Sequence, residues 1–192
     1  MTPPGLIVIG ASLGGLRAVS TLLGELPAGF PVPLVVVQHR AITPDSGLEA
    51  ILQDRTALRI VEAEDKMPLE QGTVYVAPAD YHLLVETRGE LALSTDPPIR
   101  AARPSIDVLF ETAADAYGEA LIAVLLTGAS ADGAKGLAAV KAGGGRAIVE
   151  DPETAECRTM PAAGLAATAV DYVLDIRRIG EHLVTLVAGT RA

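Results

Sequence analysis

Leu6-Ile7-Val8-Ile9-Gly10-Ala11-Ser12-Leu13-Gly14-Gly15 decides how the rest of the chain is read. Its first four residues are wholly apolar and mostly β-branched, and Gly10 punctuates them. A run that short and that apolar is the mark of a strand buried on both faces. Helical spacing of apolar residues then runs from Gly15 to about Leu26, where Pro27 and Gly29 stop it. A buried strand passing directly into a helix begins a βα unit. Chains built from such units form parallel sheets covered by helices.

Further along, the same alternation returns. Leu34–Gln38 reads as a second buried strand, after which Asp45 or Ser46 caps a helix running to about Arg55. Ser105 or Asp107 opens a helix to about Tyr117, and Leu121–Leu126 is a strand without a charge. Gly133–Ala142 is helical, stopped by Gly143-Gly144-Gly145. Ala147–Val149 is a strand, Pro161–Ala166 a helix, Val170–Leu174 a strand and Arg177–Val187 a terminal helix. The middle differs: Arg59–Ala63, Thr73–Ala77, His82–Glu86 and Leu91–Ser94 are short strands parted by turn residues, with Arg88-Gly89 joining the last two. The expected fold is α/β: a doubly wound, mostly parallel sheet with helices on both faces and a small β-hairpin insertion around residues 59–95. At 192 residues the chain is expected to form a single domain over 1–192. Hydrophobic residues make up 49% and aromatics only 3%, so Ala, Val, Leu and Ile must build the interior.

Charge and cysteine content narrow the function. A net charge of −9 argues against nucleic-acid partners, since neutralising phosphates needs a basic face. It equally disfavours anionic lipid. The single cysteine, Cys157, can form neither an internal disulfide nor a multi-thiolate metal site. Leu6–Ile9 and Leu121–Leu126 are far too short to cross a bilayer, and no basic region precedes the first. No membrane insertion and a cytoplasmic location are the expectations.

In sheets of this kind, functional residues collect where strands end and helices begin. The first strand ends at Ser12, the second in Gln38-His39-Arg40, and Leu121–Leu126 runs into Thr127-Gly128-Ala129-Ser130-Ala131-Asp132-Gly133. A hydroxyl, an imidazole and a carboxylate on the tips of one edge are the inventory for acyl transfer. A serine hydroxyl becomes an effective nucleophile when a neighbouring base takes its proton, and His39 is suited to that. Asp132 would hold the ring in one tautomer and stabilise the imidazolium. Loop and helix N-terminal amides would bind the oxyanion. Each residue alone has an ordinary reading: Ser12 as a helix cap, His39 as a polar strand end, Asp132 as a turn residue. Their coincidence on three strand tips carries the catalytic one.

With those residues the chain resembles the catalytic domain of the chemotaxis protein-glutamate methylesterases, from about Leu6 to Val187. The likeness rests on Gly10-Ala11-Ser12-Leu13-Gly14-Gly15, Val37-Gln38-His39 and Gly72-Thr73-Val74-Tyr75-Val76-Ala77-Pro78. It continues through Arg103-Pro104-Ser105-Ile106-Asp107-Val108-Leu109-Phe110, Leu126-Thr127-Gly128, Asp132-Gly133-Ala134 and Met160-Pro161. The resemblance implies a doubly wound domain with Ser12, His39 and Asp132 as triad, and Leu13 and Ala129 at the oxyanion and substrate. It implies no metal and no cofactor. The implied substrates are methyl-esterified glutamates, and glutamines open to deamidation, on the cytoplasmic domains of chemoreceptors.

Two departures bear on this. Relatives usually carry an N-terminal receiver domain, whereas this chain starts at the first catalytic strand. Phosphorylation control in cis would then be missing, and regulation would come from a partner such as a separate response regulator, from expression, or not at all. Ser130 stands where the family generally has glycine or asparagine, so a left-handed backbone there would be strained, and Ser130→Gly is expected to keep or raise turnover. Two other readings compete. A dinucleotide-binding turn at Val8–Gly15 lacks an acidic residue after the second strand. A general α/β-hydrolase elbow fits Gly10–Gly14, but its acid precedes its histidine. A non-enzymatic binding module is a third, and the intact set of three groups speaks against it. His82 reads as structural or surface, His182 as surface, Cys157 as a packed or exposed thiol. Arg100 and Arg103 read either as attractors of an acidic partner or as ion-paired surface.

Overall fold

The structure, a computed structural model, describes residues 2–40 and 47–189. In chain order these form β1 (Leu6–Ala11), α1 (Gly15–Gly24), β2 (Leu34–Gln38), α2 (Leu48–Gln53), β3 (Arg59–Glu62), β4 (Thr73–Val76), β5 (His82–Glu86) and β6 (Glu90–Ser94). There follow α3 (Ile106–Tyr117), β7 (Leu121–Leu125), α4 (Ala134–Ala142), β8 (Arg146–Glu150), α5 (Thr159–Ala167), β9 (Tyr172–Leu174) and α6 (Ile176–Ala188). The cap expected at Asp45 or Ser46 lies outside the described residues.

Seven strands make one sheet in the order β3-β4-β2-β1-β7-β8-β9, every neighbouring pair parallel. β1 lies at its centre, flanked by β2 and β7. The chain builds outward on one side of β1, then returns to build the other side. That reversal opens a crevice at the carboxyl ends of β1 and β7.

Period-two alternation divides the core. Ile7 and Ile9 face a layer that contains Val19, Leu22 and Leu23 of α1 and Ile179, Leu183 and Val187 of α6. Leu6 and Val8 face a layer with Leu109 and Phe110 of α3 and Leu137 and Val140 of α4. The α6 residues recur every four positions, so one stripe is buried; each such leucine or isoleucine contributes about 1.5–3 kcal/mol.

The hairpin is narrower than the 59–95 window. β3 and β4 join the main sheet in parallel, and only β5 and β6 pair antiparallel, from His82↔Ser94 to Glu86↔Glu90. Four-residue strands show too little periodicity to separate the two cases. Yet Thr73-Val74-Tyr75-Val76 is buried throughout, as a strand covered on both faces must be. Among the described residues no helix is long and apolar enough to cross a membrane.

Candidate active site

Main-chain bonds lace the three strand tips together. The Ser12 N–H donates to the Thr127 carbonyl at 2.9 Å, and the His39 N–H to the Ala11 carbonyl at 2.9 Å. The Gln38 amide nitrogen donates to the carbonyls of Ser12 (2.8 Å) and His39 (2.9 Å). Gly128 lets the β7 loop close on Ser12: a β-carbon added there would stand 2.9 Å from Ser12 Cβ and 2.7 Å from Met160 Sδ. The capping role for Ser12 falls away. α1 begins behind Gly14, whose φ of 79° is left-handed, and no side chain caps it.

At the acid, His39 Nε2 and Asp132 Oδ2 are 2.7 Å apart. Asp132 is 1% exposed and accepts four further hydrogen bonds. They come from the Ser105 hydroxyl (2.9 Å) and the amides of Ile106 (2.7 Å), Asp107 (3.0 Å) and Gly133 (3.1 Å). The acid therefore also caps α3, whose N-terminal dipole favours a negative charge. Burial pushes its carboxyl up, but the bonds from His39, Ile106, Asp107 and Ser105 outweigh burial and hold it below the ordinary range. An ionised Asp132 keeps the imidazole proton on Nε2 and leaves Nδ1 as the basic nitrogen. Asp107, beside it, is shifted the other way. Burial and repulsion from Asp132 raise it despite the amides of Gly136 and Gly133. Of the two carboxyls, Asp107 is therefore the one that takes up a proton more readily.

Ser12 and Leu13 line a cleft of about 800 Å³ between α1 and α2, and His39 lines a neighbouring one of about 380 Å³ with Arg40, Asp80 and Arg103. Leu13 is 59% exposed and Ala129 is exposed. Neither residue's amide donates to a protein acceptor among the described residues.

The sequence profile of the family described as CheB methylesterase matches residues 7–183. The chain belongs to the CheB methylesterase family. A Leptospira interrogans protein that carries the name protein-glutamate methylesterase/protein-glutamine glutaminase is 47% identical over 180 residues, 94% of this chain and 93% of that one. The protein-glutamate methylesterase FrzG of Myxococcus xanthus is 40% identical, and the match spans 95% of this chain and about half, 54%, of FrzG. The crystal structure of the Thermotoga maritima CheB methylesterase catalytic domain superposes with a TM-score of 0.91 at 38% identity, over 97% of this chain and all of that one.

Several residues around this CheB-type site carry no sequence signal of their own. Thr127 is a hub: its hydroxyl donates to the Leu13 carbonyl (2.9 Å) and accepts from the Cys157 amide (2.8 Å). Its own amide donates to Glu150 at 2.7 Å. Glu150 is buried; burial pushes it up, the Thr127 bond opposes, and the charges of Asp175 and Glu156 add to the rise. A lone carboxylate closing an apolar strand, Ala147-Ile148-Val149-Glu150, is the one hint the sequence offers. His82 is buried, with Nδ1 accepting from the Ser105 amide at 3.2 Å, so it is structural. His182 is half-buried on the surface of α6. It packs edge-on against Tyr172 with ring centroids 4.1 Å apart, and burial lowers its pKa. Arg103 is spent on Asp80 and on the carbonyls of Thr95 and Asp96.

Ser130 also needs correction. Positive φ occurs among the described non-glycine residues at Lys66, Asp80, Arg100 and Ala101, not at Ser130. Its hydroxyl instead accepts from the Asp132 amide at 3.3 Å. The premise of a strained loop is gone, and Ser130→Gly now removes a restraint.

Proposed function

We propose that this chain hydrolyses γ-glutamyl methyl esters on the cytoplasmic domains of chemoreceptors, with Ser12 as nucleophile, His39 as general base and Asp132 as the acid that orients it. The observation that carries the reading is the 2.7 Å contact between His39 and a buried, helix-capping Asp132. Ser12, on the adjoining strand tip, opens onto the larger cleft. Membership in the family and the names of its relatives supply the substrate class.

As the Ser12 oxygen attacks the γ-carbonyl carbon, its proton passes to His39 Nδ1, and the carbonyl electrons move onto oxygen. The amides of Leu13 and Ala129 are the donors assigned to that oxyanion. Collapse breaks the bond to methoxide, which takes the proton from His39 and leaves as methanol. Water then attacks the acyl-serine by the same proton route, giving glutamate and free Ser12. A glutamine side chain treated identically releases ammonia. These steps draw on side chains and water alone, and residues 1–192 act as one catalytic unit. The setting is the cytoplasm, with a response regulator as a controlling partner.

Methanol release from a methylated receptor tests the proposal. Wild type should release it steadily and Ser12→Ala should not, while both melt alike. Release by both at no more than the uncatalysed rate would leave only a binding role, and equal release above it would remove Ser12 as the nucleophile.

A further inference from the structure

We infer that Gln38 is a positioning residue that fixes the nucleophile and the base relative to each other, an inference that rests on the reading of Ser12 as nucleophile. The β1–β2 ladder ends where the His39 amide donates to the Ala11 carbonyl. Beyond that point no main-chain bond joins the two tips among the described residues. Gln38 takes over: its side chain donates from one nitrogen to the Ser12 carbonyl at 2.8 Å and to the His39 carbonyl at 2.9 Å. Both N–H groups of a primary amide are thereby used, one on each residue whose side chain must meet the other.

The requirement is chemically narrow. Glutamate offers no donor at neutral pH, and lysine or arginine would bury a charge beneath Ser12. Asparagine supplies both N–H groups but is one methylene short. The rest of the turn is shaped around this side chain. A β-carbon on Gly15 would lie 2.1 Å from Gln38 Oε1 and 2.7 Å from Ala11 Cβ. Gly15 also donates its amide to the Ser12 carbonyl at 2.8 Å, so two donors grip the same oxygen. Gln38 is 9% exposed, so its two donors are shielded from bulk solvent.

The test compares wild type with Gln38→Met, Gln38→Asn, Gln38→Ala, Gly15→Ala and the Gly15→Ala/Gln38→Ala pair. Two readouts are used: the rate of Ser12 labelling by a fluorophosphonate, and kcat and KM on a γ-glutamyl methyl ester. Small misplacements at reacting groups cost up to about 100-fold. Gln38→Met should therefore lose at least about tenfold in labelling rate and kcat, with KM within about threefold and an unchanged melting temperature. Gln38→Asn should fall between it and wild type, which keeps the test open if Gln38→Met does not fold. Gly15→Ala should be slow as well, since its β-carbon meets both Gln38 and Ala11; the pair should fall short of the product of the two single penalties, because the clash with Gln38 is gone from it. Gln38→Met at wild-type rate, a change confined to KM, or penalties that multiply in the pair would overturn the clamp. Wild type that fails to label at Ser12 would instead overturn the nucleophile reading beneath it.

Discussion

The acid end and the nucleophile end of the site are built differently. Asp132 is almost wholly buried and takes donors from the β2 tip, from the start of α3 and from Gly133 ahead of α4. Ser12 is part-exposed and is held through its main chain, by Thr127, Gly15 and Gln38. The group that must stay still is thus part of the scaffold. The group proposed to attack makes no side-chain hydrogen bond among the described residues and is held only through its main chain. Damage at the acid end should cost stability and activity together; damage at the nucleophile end should cost activity alone.

Substitutions can break or sharpen that contrast. The largest effect is expected of Ser12→Ala, about a 10⁶-fold loss of ester hydrolysis with no change in the melting curve. A drop in melting temperature would mean that the hydroxyl has a structural task. Asp132→Asn comes next. It should lower kcat about 10⁴-fold and stability by about 3 kcal/mol, because an amide replaces the acceptor that five donors converge on. Denaturant melts at neutral pH check the second figure.

The pH dependence of that stability loss has a definite sign. Asp132 has a folded pKa below its unfolded value, so its contribution is complete above the unfolded value, about 3.9, and is lost as pH falls through the folded one. The gap between wild type and Asp132→Asn should therefore close on acidification below about pH 4. Asp107 provides the opposite case. Its raised pKa means that its charged form disfavours folding at neutral pH. Asn can still accept from the Gly136 amide, a bond of 2.8 Å in the wild type. Asp107→Asn should leave stability unchanged or raise it by up to about 1 kcal/mol, measured in the same melts. A matching loss at both aspartates would erase the distinction between them. The smallest effect belongs to Ser130→Gly, which removes the bond to the Asp132 amide. Turnover should fall by no more than about tenfold, since one neutral hydrogen bond contributes about 0.5–1.5 kcal/mol. Faster turnover would restore the strained-loop view.

Most of the fold is legible in the sequence, because buried strands and amphipathic helices write their periodicity locally. Leu34–Gln38 and His82–Glu86 appear within the bounds expected, and the helices differ by a residue or two at their ends. Strand order is a long-range property and leaves no such mark, so β3 and β4 could not be told from a hairpin. The cap of α3 shows the same limit at the site. Ser105 and Asp107 are the local candidates, yet the acceptor that fills the helix end is Asp132, 26 residues from Ile106. Ser105 instead turns its hydroxyl to that same acid. The three side chains proposed to react are visible as residue types on strand tips. The contacts that gather them, from the Gln38 side chain, from the Thr127 hydroxyl and at the α3 terminus, all involve main-chain groups that every residue possesses, so no partner residue type announces them.

The central claim is that Ser12, His39 and Asp132 operate as one unit. Hydrolysis of a γ-glutamyl methyl ester by Ser12→Ala, His39→Ala and the double variant tests it most directly. A shared mechanism predicts that the double variant is no slower than the slower single one, since the second change removes nothing still in use. Penalties that multiply, or His39→Ala turning over at the wild-type rate, would contradict it.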